Sequence, residues 1–146
     1  MKARRFSYTR IEVGQTIASE LAYLPITVST ATRSIEWQGM LDSGSTVNVL
    51  PYPIGLALGF IWEQQTIPIT LTGSLSSVPA HGVIATGQVA SFPPVELAFA
   101  WTQAENVPLI LGQVNFFMEF DVCFFRSQAV FEIKPKDPQS KNKGRM

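Results

Sequence analysis

The chain has 146 residues, of which 46% are hydrophobic and 15% are charged, with ten Gly, ten Pro and a single Cys. A chain of this length forms one domain with its own core, and its composition is typical of a turn-rich globular protein rather than a disordered one. Cys123 has no second cysteine to pair with, which excludes an intramolecular disulfide. With only one His and one Cys no zinc site is expected, and we predict neither metal nor cofactor.

The charges are segregated along the chain. Residues 1–10 carry four basic residues and residues 134–146 carry five against one Asp, whereas the segment between them has ten acidic residues and two basic ones. We interpret residues 1–10 as a basic arm, residues 11–133 as the folded domain and residues 134–146 as a disordered basic tail. The tail interleaves no aromatic residue among its charges, so we expect no nucleic-acid partner. No apolar run has the length of a signal or a membrane span, and we expect a soluble, cytoplasmic protein.

The first half of the chain predicts a β-hairpin that leads into an acidic motif. Two β-rich runs, 21–30 and 34–41, flank a turn at 31–33, and Asp42 follows the second run directly. The run 46–50 predicts another strand, which Pro51 ends. Residues 54–58 predict one short helix, which Gly59 ends.

The second half predicts a series of short strands with little helix. Further strands are predicted over 66–72, 83–89, 95–101, 107–111, 121–125 and 128–133, with one helical turn over 113–118. The small, polar segment 73–82 predicts a mobile hairpin. Many short strands with one or two helical turns favour an all-β fold, built as a closed or partly open barrel.

The chemistry of the chain centres on the run Leu41-Asp42-Ser43-Gly44-Ser45. Apolar residues stand on both sides of it, so a carboxylate lies within a hydrophobic strand environment, which is rare for a solvated turn. Two carboxylates that share one proton can hold a water between them, one taking the proton of the water while the other polarises a peptide carbonyl. Such a site needs an Asp on a tight loop, with a Gly for close approach and a hydroxyl for anchoring. The run supplies all three.

The run 41–46 resembles the catalytic loop of the retropepsin and pepsin superfamily. The run Leu109-Ile110-Leu111-Gly112 is similar to the element of two hydrophobic residues and a glycine that supports this loop, and 113–125 resembles the helix and strand that follow it. Residues 72–89 occupy the place of the flap hairpin. The resemblance spans about residues 20–133 and implies a single-lobe, retropepsin-like aspartic protease.

The resemblance also implies a role for individual residues. Asp42 would be the catalytic acid and base, and since the chain holds one copy of the motif, a working pair requires a homodimer with Asp42 at its two-fold axis. Ser43, Gly44 and Ser45 would support the catalytic loop. Ser43 stands where Thr is more usual, and the proposed flap lacks a glycine-rich tip, so no flap residue is assigned. The substrate would be a peptide or a protein. Support from behind the loop would come from Ile110, Leu111 and Gly112.

Other functions compete with this interpretation. A catalytically weak or inactive retropepsin-like module for dimerisation or peptide binding would keep the same fold. A serine hydrolase would use Ser43 with the single histidine, His81, but the Gly-x-Ser-x-Gly turn of such enzymes is missing around Ser43. A plain β-barrel with an accidental triplet is the third alternative. The phenylalanines of the final third, six residues between Phe116 and Phe131, are expected to form core and to contribute to a dimer interface.

Overall fold

Twelve strands and two short α-helices make up the computed structural model, which describes residues 2–138 and leaves out the side chains of 17 and 18. The all-β prediction is confirmed. The strands are β1 (Arg4–Ser7), β2 (Thr9–Val13), β3 (Thr16–Leu21), β4 (Tyr23–Ser29), β5 (Ser34–Leu41), β6 (Asn48–Pro51), β7 (Pro68–Ile69), β8 (Ala80–Gln88), β9 (Val95–Thr102), β10 (Leu109–Leu111), β11 (Phe120–Phe125) and β12 (Val130–Pro135). The helices are α1 (Tyr52–Ala57) and α2 (Phe116–Glu119).

Six strands close into a barrel in the order β4, β5, β10, β6, β9, β8, and pairing between β4 and β8 completes the ring. Closure removes the free edges of these strands. Along β4 and over 83–88 of β8 buried residues alternate with partly or fully exposed ones, as expected where one face of a strand points to a core. The barrel interior holds fully buried side chains such as Leu24, Val28, Leu97 and Trp101.

Parallel pairing of β10 with β5 positions the acidic motif. Leu111 lies opposite Leu41 at the carboxyl ends of these two strands. Because parallel neighbours end at the same edge of a sheet, Asp42 and Gly112 leave the barrel side by side. The predicted hairpin of β4 and β5 is confirmed, and it brings β5 to this edge.

Three strands, β1 to β3, precede β4, although the charge pattern predicted only a basic arm over residues 1–10. β1 pairs with β12 in a second sheet of order β1, β12, β11. β2 and β3 pair only with each other among the described residues, and we call this hairpin the N-terminal ribbon. The boundaries expected after residues 10 and 133 fall inside β2 and β12. Most of the tail predicted as disordered, residues 139–146, lies outside the described residues.

Several predicted elements differ in extent from the observed ones, and two of them differ near the Asp42 motif and the predicted flap. The strand predicted over 66–72 is reduced to Pro68 and Ile69, and of these two only Ile69 has a backbone N–H to donate. It still pairs with β8, and a ten-residue connection containing a 3-10 turn at Gly73–Leu75 joins the two strands. The helix predicted from residue 113 begins only at Phe116, because Gln113 and Val114 donate their N–H groups to carbonyls of the loop after Asp42.

The phenylalanines of the final third are mainly core. Phe116, Phe120 and Phe131 are buried, while Phe117 and Phe125 are partly buried and Phe124 is 43% exposed. Phe124 lies on β11, at one edge of the second sheet. None of the helices in the described range 2–138 is both long and apolar enough to cross a bilayer.

Candidate active site

Asp42 begins a tight loop, residues 42–46, which we call the Asp42 loop. Its N–H donates to the Leu111 carbonyl at 3.0 Å, which extends the parallel pairing of β5 and β10 by one residue. Its carboxylate Oδ1 accepts a hydrogen bond of 3.0 Å from the Gly44 N–H, and its carbonyl accepts one of 3.1 Å from the Ser45 N–H. Asp42 is half-buried in the single chain. A carboxylate that accepts a backbone N–H is held in one orientation while its second oxygen stays available.

Ser43, Gly44 and Ser45 follow Asp42 in this loop. Ser43 is exposed, and its carbonyl accepts a hydrogen bond of 2.8 Å from the Gln113 side chain. A Cβ at Gly44 would lie 3.3 Å from the Asp42 Oδ1. The Ser45 hydroxyl donates to the Val47 carbonyl at 2.7 Å, so it fixes the exit of the loop.

Gly112 packs directly against the backbone of residues 45–47, which is possible because glycine has no side chain. A Cβ there would lie 2.4 Å from the Val47 carbonyl oxygen and 2.8 Å from that of Ser45, closer than any real Cβ approaches backbone. Gln113 and Val114 then donate their N–H groups to the carbonyls of Ser45 and Thr46, both at 2.9 Å. The segment after β10 is therefore joined to the Asp42 loop by two backbone hydrogen bonds in addition to the Gln113 side chain.

Ile110 and Leu111 lie on β10, the strand that precedes Gly112, and contact the Asp42 region through the sheet. Ile110 lies between Met40 on β5 and Val49 on β6, which puts β10 at the centre of the three strands that border the loop. Leu111 is fully buried. The structure thus brings Ser43, Gly44, Ser45 and the run 110–112 together around Asp42.

A pair of amide side chains, the buried Asn48 and the partly buried Asn115, links this region to β9, and the sequence analysis did not single it out. Asn48 is fully buried, and its Oδ1 accepts a hydrogen bond of 2.8 Å from the Gly112 N–H. Its Nδ2 donates to the Ala98 carbonyl at 2.9 Å and to Asn115 Oδ1 at 3.1 Å. Asn115 Oδ1 in turn accepts from the Ala98 N–H, and its Nδ2 donates to the Glu96 carbonyl. A polar residue within the apolar run 47–50 was the available signal, since buried polar groups require partners.

His81 lies on β8 and packs edge-on against Trp62, with their ring centroids 4.3 Å apart. Its Nδ1 is buried without a hydrogen-bond partner. Among the hydrogen bonds of residues 2–138 there is none between His81 and Ser43, which the serine-hydrolase alternative requires. The aromatic packing at Trp62 accounts for the position of the histidine.

Comparison with known proteins relates the chain to others by structure alone. No protein-family model and no curated protein sequence matches it. A similar solved structure is that of a retropepsin-like aspartic protease from Rickettsia conorii, with 10% identity and a TM-score of 0.62, covering 90% of this chain and 91% of that one. The EIAV protease in complex with the inhibitor HBY-793 aligns with 13% identity and a TM-score of 0.48, over 70% of this chain and 88% of that one. The chain has the retropepsin-like fold.

Proposed function

We propose that two copies of this chain form an aspartic endopeptidase in which the two Asp42 carboxylates activate one water molecule. The observation that carries the proposal is the Asp42 loop itself, a carboxylate held by the Gly44 N–H and supported by the close backbone approach at Gly112. The fold and the order of the motifs along the chain support the same function.

The mechanism needs the two carboxylates to differ in protonation. When two carboxyl groups meet at a symmetry axis, both cannot ionise, so the pair shares one proton. The ionised Asp42 takes a proton from the water as the water attacks the peptide carbonyl, while the protonated Asp42 donates a hydrogen bond to the carbonyl oxygen. The proton taken from the water then passes to the amide nitrogen as the C–N bond breaks. The hydrogen bond from Gly44 fixes which oxygen of each carboxylate is turned to the water. No metal takes part in this scheme.

The peptide would lie beneath the hairpin of β7 and β8, which we propose as the flap. An extended peptide gains main-chain hydrogen bonds from a strand beside it, and its side chains alternate between the two faces. β7 pairs only with β8 among the described strands, so its other side is open to a substrate strand.

Hydrolysis of a peptide library between acid and neutral pH tests the proposal, with Asp42→Asn as the matched control. We expect that variant to lose about three orders of magnitude in kcat/KM, because it removes both the acid and the base. A hydroxyl-bearing analogue of the tetrahedral intermediate should inhibit the wild-type protein. Equal rates for the two proteins would refute the endopeptidase, and binding of peptides without cleavage would favour the peptide-binding module.

Mixing the two proteins separates a shared site from a site within one chain. If each site needs Asp42 from both copies, an equal mixture of wild type and Asp42→Asn keeps about a quarter of the wild-type activity, since only dimers of two wild-type chains work. A site contained in a single chain would keep about half. Measurement of molecular mass in solution, with and without the inhibitor, determines whether the dimer forms before substrate binds.

A further inference from the structure

A groove of about 650 Å³ lies at the end of the barrel away from the Asp42 loop, and we call it the Trp37 groove. Its walls come from the first half of β5, the end of β6 with the start of α1, and the connection between β9 and β10. The opposite ends of β5, β6 and β10 border the Asp42 loop. Trp37 stands five residues before Asp42 on β5, which is about 17 Å along the strand. The groove is therefore separate from the proposed substrate cleft.

Two aromatic side chains give the groove its apolar surface. Tyr52 stacks on Trp101 with ring centroids 5.4 Å apart and meets Trp62 edge-on at 5.8 Å, so its ring is held in place from two sides. Trp37 is 50% exposed. A Trp and a Tyr that face one groove are typical of a protein-binding surface, because these residue types often contribute most of the binding energy.

Polar groups of the groove have no partner within the described part of the chain. There the Trp37 indole, the Tyr52 hydroxyl and the Gln103 amide make no hydrogen bond. Glu105 is exposed, and it makes no ion pair with a described residue. None of the lining residues is basic. The groove thus offers hydrogen-bond donors to backbone carbonyls and a negative charge to a cation.

The closed barrel decides how a peptide can bind here. β5 has β4 and β10 as neighbours, and β6 has β10 and β9, so neither strand leaves a free edge beside the groove to which a peptide could add a strand. A polyproline II segment needs no such edge, because it makes no internal hydrogen bonds and turns its carbonyls to solvent. Its prolines pack in grooves lined by aromatic side chains. The combination of aromatic rings and unpaired donors fits this kind of segment.

We propose that the Trp37 groove is a docking site for a proline-rich segment of a partner protein, with a basic residue next to the prolines. The prolines contact Trp37 and Tyr52, and the basic residue pairs with Glu105. The docking site uses no residue of the Asp42 loop, so it goes beyond the endopeptidase and either proposal can fail without the other. Where both hold, a docked substrate reaches Asp42 with about five further extended residues.

Binding of synthetic peptides to Asp42→Asn tests the docking site without cleavage of the probe. The probe is a short peptide of prolines followed by arginines, and two control peptides replace either the prolines by Gly and Ser or the arginines by Glu. Calorimetry should show that the probe binds about tenfold more tightly than each control. Absence of binding would overturn the docking site. Equal affinity for the Gly-Ser peptide would overturn the recognition of proline, and equal affinity for the Glu peptide would overturn the pairing with Glu105.

Trp37→Ala, added to Asp42→Asn, tests whether the probe binds in the groove. It should weaken binding about thirtyfold, as expected for a Trp at the centre of an interface. Phe124→Ala is the matched control, because Phe124 is an exposed aromatic residue outside the groove. Thermal unfolding shows whether each variant is folded. A folded Trp37→Ala variant that binds the probe with unchanged affinity would refute the proposal.

Glu105→Gln tests the charge of the groove in the same background. It should weaken binding of the probe about threefold and lower the dependence of the affinity on salt, because an exposed ion pair is screened. Glu96→Gln is the matched control, since Glu96 is exposed on β9 and lies outside the groove. Equal effects of the two variants would show that the overall charge of the chain, and not Glu105, attracts the probe.

Deletion of residues 139–146 distinguishes a partner protein from the chain's own basic end. That segment carries Lys141, Lys143 and Arg145. In high salt, where distant charges are screened, a separate partner predicts the same affinity for the probe with and without the segment. An affinity about tenfold higher after the deletion would show that the chain fills its own groove, and it would overturn the partner protein.

Discussion

The Asp42 loop and the N-terminal ribbon are attached to the rest of the molecule by different forces. The loop is held by backbone contact at Gly112 and by the buried amide of Asn48. The ribbon has its residues Ile11 and Val13 exposed, at 46% and 68%. The carboxylate of Glu20 on β3 accepts a hydrogen bond of 3.0 Å from Arg10 within the ribbon and one of 2.9 Å from Arg126, in the turn between β11 and β12.

The Asp42 loop and the ribbon thus show two ways in which a segment of the chain is attached to the rest of the fold. Hydrogen bonds between buried neutral groups are insensitive to salt and pH, and losing one partner leaves the other unsatisfied. Ion pairs on the surface are screened by salt and contribute little. A segment that must hold a reacting group still requires the first kind, whereas the ion pair between Glu20 of the ribbon and Arg126 is of the second kind.

The largest effect is expected from Gly112→Ala. The new methyl group would meet the Val47 carbonyl oxygen at 2.4 Å, and the Asp42 loop would have to move away. Overpacking of this kind costs about 3 kcal/mol of unfolding free energy, which urea titration measures, and peptide cleavage should fall with it. Gly14→Ala in the ribbon turn is the control, because its Cβ meets nothing within 4 Å and only its φ of +65° is unfavourable, at about 1 kcal/mol. Equal losses in the two variants would contradict the close approach.

Asn48→Ala should lower the free energy of unfolding by about 2 kcal/mol, since it leaves the Gly112 N–H and the Ala98 carbonyl without this hydrogen-bond partner in the interior. Chemical denaturation measures the loss. A double-mutant cycle with Asn115→Ala tests whether the two amides are coupled. Because the Asn48 amide also donates to Asn115, the two losses of unfolding free energy should not add. Additive losses would show that the two amides act independently.

Gln113→Ala removes the hydrogen bond to the Ser43 carbonyl, and we expect it to lower the free energy of unfolding by about 1 kcal/mol. Because Ser43 follows Asp42, the kcat of peptide cleavage should fall by more than the stability change alone explains. Gln88→Ala is the control: its side chain donates to the Phe92 carbonyl at 3.2 Å, away from the loop, and cleavage should be retained. A loss of activity in both variants would argue against a specific role for Gln113.

The smallest effect is expected at the ribbon, from Glu20→Gln. The hydrogen bond from Arg10, with the charges of Arg10 and Arg126, lowers the pKa of Glu20 against the opposing effect of burial. A lowered pKa in the folded state means that the carboxylate stabilises the fold above the ordinary pKa of Glu, and that this contribution is lost as the pH falls through the lowered pKa. The melting temperatures of wild type and variant should therefore differ at neutral pH and converge in acid. A difference that persists in acid or in high salt would contradict an ionic origin.

Much of the barrel and of the Asp42 loop could be predicted from the sequence. The hairpin of β4 and β5, the short helix α1 before Gly59 and the glycine at 112 all carry local signals in residue type and spacing. The loop was predictable because its motif needs a particular residue at each position: an acid, a hydroxyl and a glycine within three residues.

The ribbon and the amide network could not be predicted in this way. β2 alternates polar and apolar residues over only four positions, 10–13, and buries none of them, so its pattern is too short to identify a half-buried strand. Arg4 and Arg5 indicated a basic arm, yet they lie in β1, because pairing with β12 satisfies the backbone whatever the side chains are. The partners of Asn48 lie 50 and more positions away along the chain, and only the folded barrel brings them together.

Pairing of β1 with β12 also has a consequence for folding. Arg4 lies opposite Ile133 and Ser7 opposite Val130, so a strand near the start of the chain joins one of the last strands described. Contacts between such distant positions slow folding, because a long loop must close before they form. During translation β1 emerges from the ribosome before β12, and its hydrogen-bonding edge stays unmatched until β12 follows.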